Sequence, residues 1–258
     1  MTLVVFLSGC SRDSYNPAHD YFSFANSEQF ITHHLELDLA VDFSEQSLKG
    51  YAILHMERLD QAAQTLVLDS RGLQISAIEL ALAGGEFRPV TYRVDGADPV
   101  LGEAIRIQLP GNFKDDSEFK VRIDYQTGPN ASALMWLPPA LTLGGDYPFM
   151  FTQSQSIHAR SWVPLQDTPA VRFTYEAKIS TPPQLLALMS ANNEPEAERS
   201  GDYRFSMPQP IPSYLLALAV GNLFFEPLGE DTGVYAEPGI LQDAAWEFAD
   251  TQDRKSVV

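Results

Sequence analysis

Leu35-Glu-Leu-Asp-Leu-Ala-Val-Asp42 alternates apolar side chains with mostly acidic ones, without a break. Successive side chains of an extended chain point to opposite faces, so a period of two makes a strand with one dry face and one wet face. A helix would scatter the same apolar residues around its circumference. Residues 48–56 repeat the pattern with a small-residue centre, Gly50 and Ala52, and the polar stretch 43–47 between them predicts a turn. Further strands are expected at 65–69, 74–83, 89–94, 104–109, 118–125 and 171–179, punctuated by Arg71-Gly72, Gly84-Gly85 and Asp95-Gly96. In the last two, Phe119, Val121, Ile123 and Tyr125, then Val171, Phe173, Tyr175, Ala177 and Ile179, hold one side. Strands this frequent, with no helix-period segment among them, predict a mainly β fold of mixed or antiparallel sheet rather than βαβ units.

Two stretches depart from the alternation. Residues 128–167 are rich in proline and aromatics and predict a long ordered loop. Residues 214–225 are apolar on both faces, too short to cross a bilayer, which takes about 20 residues, and predict a buried strand and hairpin. After about Gly229 the composition changes. Leu241, Ala244, Ala245 and Phe248 then fall at i, i+3, i+4, i+7, which predicts a short amphipathic helix near the C-terminus. The expected division is therefore a leader and tether over 1–20, a β domain over 21–230, and the start of a second unit over 231–258.

Charge and cysteine usage narrow the function classes. A net charge of −17 over 258 residues repels phosphate backbones, so nucleic acid is not an expected partner. A single cysteine permits no internal disulfide, and no CxxC or Cys/His tract suggests structural zinc. That cysteine ends Leu7-Ser8-Gly9-Cys10, which reads as a lipobox: cleavage before Cys10 and acylation of it would tether the chain to a bacterial cell envelope. The only expected membrane contact is through that anchor. Against it, no basic residue precedes Cys10 and the apolar run is short, so an incidental cysteine in an unstructured start, and a cytoplasmic location, stay open.

Catalytic constellations are missing from the sequence: it contains no H-E-x-x-H, G-x-S-x-G, P-loop or G-x-G-x-x-G. Of the five histidines, His19 falls in the tether, the adjacent His33 and His34 point to opposite faces of a strand, His55 lies on a wet face, and His158 has no companion in its segment. Three or four convergent ligands are needed to hold a metal, so no metal site and no catalytic residue is expected. One polar cluster stands out. Phe149-Met-Phe-Thr-Gln153-Ser154-Gln155-Ser-Ile-His158 places two glutamines on one side of an extended segment. A carboxamide both donates and accepts, which suits recognition of peptide or amine groups without added charge. The competing reading is that the pair satisfies backbone groups of its own loop.

Seven collinear blocks, spread from about Ser23 to Asp253, carry a resemblance. They are Phe22-Ser-Phe-Ala-Asn26; His34-Leu-Glu-Leu-Asp-Leu; Phe149 through Arg160; Pro164-Leu-Gln-Asp-Thr-Pro169; Leu186-Ala-Leu-Met-Ser-Ala191; Pro210-Ile-Pro-Ser-Tyr-Leu-Leu-Ala-Leu-Ala-Val-Gly221; and Gly233-Val-Tyr-Ala-Glu-Pro238. Together they resemble the N-terminal domain of zinc aminopeptidases of the leukotriene A(4) hydrolase / aminopeptidase N family. The resemblance implies a saddle-shaped, curved sheet domain that covers the active site of a following thermolysin-like domain, with a short helical stub at its end. It implies that Gln155, with Gln153 and Ser154 beside it, helps hold the free amine and first side chain of a peptide substrate. It leaves Arg160 and Asp167 as structural groups that tie down that loop. The family's G-x-M-E-N strand, zinc-binding H-E-x-x-H and tyrosine are not in this sequence, so no cofactor is expected on the chain itself, although zinc is expected in a full-length member. Arg254-Lys-Ser-Val-Val258 stands where the family helix would continue with apolar residues, which predicts a truncated or frame-shifted end and an inactive product. A lipid-anchored β module that binds peptides or a partner protein is the alternative.

Overall fold

A computed structural model describes residues 20–82, 84–111, 118–194, 198–230 and 232–251. In chain order its strands are β1 (Phe30–Asp42), β2 (Ser47–Arg58), β3 (Thr65–Ser70), β4 (Gln74–Leu82), β5 (Arg88–Pro89), β6 (Tyr92–Val94), β7 (Glu103–Gln108) and β8 (Glu118–Gln126). Then come β9 (Leu134–Leu137), β10 (Phe149–Thr152), β11 (Arg172–Ser180), β12 (Leu186–Met189), β13 (Asp202–Pro212), β14 (Leu218–Gly221), β15 (Phe224–Pro227) and β16 (Gly233–Ala236). The helix α1 (Leu241–Phe248) follows.

The alternating segments build the largest sheet, in the order β13-β11-β1-β2-β8-β4-β5. Its pairings are antiparallel except β1 with β11, which makes it mixed. Register explains why one face is dry. Phe205, Ala177, Leu37, Ala52, Ile123 and Ile78 are successive cross-strand partners over six strands, and all are buried. A slip of one residue in any strand would turn its apolar set to water. Gly50 is required at the β1–β2 seam, because a Cβ there would lie 1.9 Å from the Asp38 carbonyl oxygen.

Two smaller sheets share the core with the large one: β3-β7-β6, and β12-β14-β10-β9. A two-stranded β15–β16 ladder carries α1, whose Leu241, Ala244 and Ala245 are half-buried while Trp246 is 79% exposed. This ladder straddles residue 230. The mainly β class with one C-terminal helix is thus what the chain forms.

Three local expectations are corrected. The predicted loop at 128–167 contains β9 and β10, two apolar strands of four residues each in the four-stranded layer, with β9 at its edge. The predicted hairpin at 214–225 does not close: β14 pairs with β12 and β10, and β15 pairs with β16. Strand β13, unforeseen, contains three prolines, which its place at the sheet edge tolerates because an edge strand leaves N–H positions unpaired.

Candidate functional site

Strand β10 positions the glutamines. It is clamped between β9 and β14, and Gly221 on β14 gives Phe149 its room, since a Cβ there would lie 2.5 Å from the ring. Beyond the strand the pairing persists, with the Gln153 N–H donating to the Ala133 carbonyl at 2.8 Å. The Thr152 hydroxyl accepts the Leu218 N–H at 2.9 Å. The two-residue period continues through the turn: Met150 and Ser154 are buried, while Phe149, Phe151, Gln153 and Gln155 share the other side, the rings half-buried and 5.6 Å apart, the amides exposed. The Gln153 Oε1 accepts the Gln155 N–H at 3.4 Å, so this carboxamide serves its own loop in part. Among the described residues, no protein group bonds the Gln155 carboxamide.

Ser154 sits differently from its two neighbours. It is 2% exposed, donates to the Leu216 carbonyl at 2.6 Å and accepts the Trp162 indole N–H at 3.1 Å. Its hydroxyl is committed to the protein, so the side chain anchors the turn from within and does not face a ligand.

Below the turn lies a buried ionic node. Arg160 is fully buried; its Nε meets Asp167 Oδ2 at 2.9 Å, its Nη1 lies 3.4 Å from Asp69 Oδ1, and its fork also bonds the Leu101, Phe22 and Asp167 carbonyls. Asp167 accepts the Ser213 hydroxyl at 2.6 Å. Asp69 accepts Ser23 Oγ–H and the Phe24 and Asp167 N–H groups. Burial pushes the Asp69 carboxyl up, while Arg160 and the three donors pull it down. Charges removed from water persist only when paired and fully hydrogen-bonded. Here that requirement welds the 22–24 segment, β3, the 160–167 loop and the turn before β14 into one support.

The described histidines are separately engaged: His33 with Glu57 at 2.8 Å, His34 with Thr174 at 2.7 Å, His55 with Glu36, and His158 with Ser132 at 2.8 Å. Burial and the neighbouring His55 hold the His34 imidazole below its ordinary value. Among the described residues, no three His, Cys, Asp or Glu side chains converge as metal ligands would, so these residues do not fit the zinc that the resemblance implies for a full-length member. On the wet face of the large sheet an open groove of about 630 Å³ is lined by residues such as Asp38, which pairs with Lys178 at 4.0 Å and accepts the Tyr51 hydroxyl at 3.4 Å. Cys10 lies outside the described residues. The Ser132–His158 contact could not be read from sequence, where the two are 26 positions apart and His158 has no companion.

Comparison with known proteins agrees with this geometry. Residues 31–215 match the family described as the Peptidase M1 N-terminal domain. Leukotriene A-4 hydrolase of Xenopus laevis is 37% identical over 238 residues, covering 90% of this chain and 38% of that protein. Leucine aminopeptidase 2 of Neurospora crassa is 33% identical, covering 95% and 37%. Native yeast LTA4 hydrolase superposes with a TM-score of 0.82 at 30% identity, over 94% of this chain and 37% of that one. The chain therefore spans well under half the length of the relatives it matches. The matched residues 31–215 make up more than half of this chain, and the chain belongs to the Peptidase M1 N-terminal domain family.

Proposed function

We propose that this chain is the substrate-capping first domain of a zinc-dependent aminopeptidase that releases N-terminal residues from peptides, and that Gln155 meets the substrate's free amine. The observation that carries the reading is the Gln155 carboxamide, exposed and free of protein partners at the end of a half-buried aromatic row. Its oxygen accepts from an ammonium while its NH₂ can donate to a neighbouring carbonyl. Phe149 and Phe151 offer the first side chain an apolar wall. Gln153 supplies a second carboxamide, and Ser154 fixes the depth of the turn. Rigid support of this kind holds a recognition group where the ligand needs it.

Family members named as leucine aminopeptidases and leukotriene A4 hydrolases support the peptidase assignment. Metal chemistry enters from another part of such a protein, because this sequence has no H-E-x-x-H and, among the described residues, no three His, Cys, Asp or Glu side chains converge. On this reading the chain alone does not hydrolyse peptides. The exposed side of α1, with Trp246 79% and Phe248 49% accessible, favours a domain that packs against more protein over a free-standing module.

The test replaces the first domain of yeast LTA4 hydrolase with this chain and assays aminoacyl-naphthylamide hydrolysis. Gln155→Ala in an active fusion is expected to lower kcat/KM roughly tenfold to a hundredfold, the loss of a hydrogen bond to a charged group. An unaltered kcat/KM removes Gln155 from amine recognition.

A further inference from the structure

Arg71, Ser132 and His158 meet beside the glutamine turn, although the first two come from loops far away in sequence. His158 Nδ1 lies 2.8 Å from Ser132 Oγ and 3.4 Å from Arg71 Nη1, which is itself 3.4 Å from Ser132 Oγ. The remainder of the Arg71 fork bonds the Val100 carbonyl, and its backbone N–H donates to the Arg160 carbonyl at 2.9 Å. The Arg71 backbone is thus tied to the buried node, and its guanidinium to Val100, Ser132 and His158.

We propose that His158 is a positioning residue for the Gln153–Gln155 turn, a neutral acceptor clamped to Ser132, and that protonation of its ring loosens the turn. The proposal rests on the reading of Gln155 as an amine-binding group. Hydrogen-bond direction supplies the first reason. Arginine has donors only, so a guanidinium pointed at Nδ1 requires that nitrogen to be bare. The Ser132 proton then goes to Nδ1, the Ser132 oxygen accepts from Arg71, and the ring proton sits on Nε2. A second proton on Nδ1 would face the guanidinium donor to donor and cation to cation, and the Ser132 hydroxyl would have to turn round and accept from the ring instead of donating to it.

Two cations near the ring act in the same direction. Arg71 approaches from the segment after β3, and Arg160 lies deeper on the His158 side. Asp167 is the one opposing charge that acts on the ring, and it is already engaged by Arg160 and Ser213. Burial first, then Arg71, hold the His158 imidazole below its ordinary value.

The backbone supplies the second reason. The His158 N–H donates to the Ser154 carbonyl at 2.9 Å and closes the turn from the far end. The Gln153 N–H donates to Ala133, adjacent to Ser132, and the Ala133 N–H donates to Ser161 Oγ at 2.9 Å, whose hydroxyl donates to the His158 carbonyl at 2.8 Å. The Ser132–His158 bond therefore ties together both ends of the segment that displays Gln155.

The test is site-resolved hydrogen exchange on the whole chain, with the His158 ring titrated by its own proton resonance. Protection factors of the Gln153 and His158 amides should fall together as the ring protonates. Ser132→Ala should lower both roughly fivefold to tenfold at neutral pH, with the urea midpoint unchanged, the loss expected for one hydrogen bond. Ser132→Thr should restore them. Protection that stays flat through the ring titration, or that Ser132→Ala leaves intact, overturns the proposal, as does a ring already protonated at neutral pH. No substrate enters this measurement. Failure of the amine-binding reading would show elsewhere, as full turnover by the Gln155→Ala fusion.

Discussion

Arg160 is the side chain on which the candidate site depends most, although it touches no solvent. Its removal would leave Asp69 and Asp167 buried together without a cation, and a buried charge stripped of its partner costs about 3–5 kcal/mol. Arg160→Leu is expected to destabilise the chain by that amount, read from urea denaturation followed by tryptophan fluorescence; a loss below about 1 kcal/mol would mean that the node is dispensable. At this scale the sequence was partly legible. Gln153 and Gln155 stand two apart in an extended segment, and the structure places both amides outward as that spacing requires. Ser154 lies between them and points the other way, into Leu216 and Trp162. The His158 partners were invisible, because Ser132 and Arg71 reach it only after β3, β9 and the 153–158 turn have been packed together.

Among the elements, the long strands with one wet face were mostly readable; β13 alternates over its first half yet was missed, and β3, buried on both faces, was read from its apolar run. β1, β2, β8 and β11 alternate because one side of the large sheet meets water, and the period of two follows from that exposure. β9, β10 and β12 are four residues each, too short and too uniformly apolar to display a period of two. The β1–β2 seam yields a test. Gly50→Ala pushes a methyl group into the Asp38 carbonyl, so the strands must part or bulge. The expected cost is about 1–3 kcal/mol in the range of overpacking, seen as a lower thermal midpoint, together with faster amide exchange confined to β1 and β2. An unchanged midpoint would show that the seam relaxes freely.

For the molecule as a whole, the buried tyrosines set an alkaline limit. Burial pushes the Tyr175 hydroxyl up to about 12, and pushes Tyr125, whose hydroxyl has no hydrogen-bond partner, up further. Above pH 10 an unfolded tyrosine has released its proton while these two keep theirs, so the unfolded state binds fewer protons and stability falls as pH rises. The slope is about 1.4 kcal/mol per pH unit for each such tyrosine between its unfolded and folded values. Unfolding should therefore accompany the rise in tyrosinate absorbance above pH 10, and ionisation of these tyrosines in a still-folded chain would refute the assignment. The sequence by itself determined the class of the fold, the strands of its large sheet, the outward direction of the two glutamines and the family to which they belong. These follow from nearest-neighbour geometry: where successive side chains point, and which of them water can reach. Tertiary structure alone decided which strands pair across the second layer, that Arg160 closes a node from four separate segments, and that a serine and an arginine far from His158 in sequence meet its ring. Those contacts join residues distant along the chain, and their energy comes from desolvation and hydrogen bonding that exist only once the sheets have closed over them.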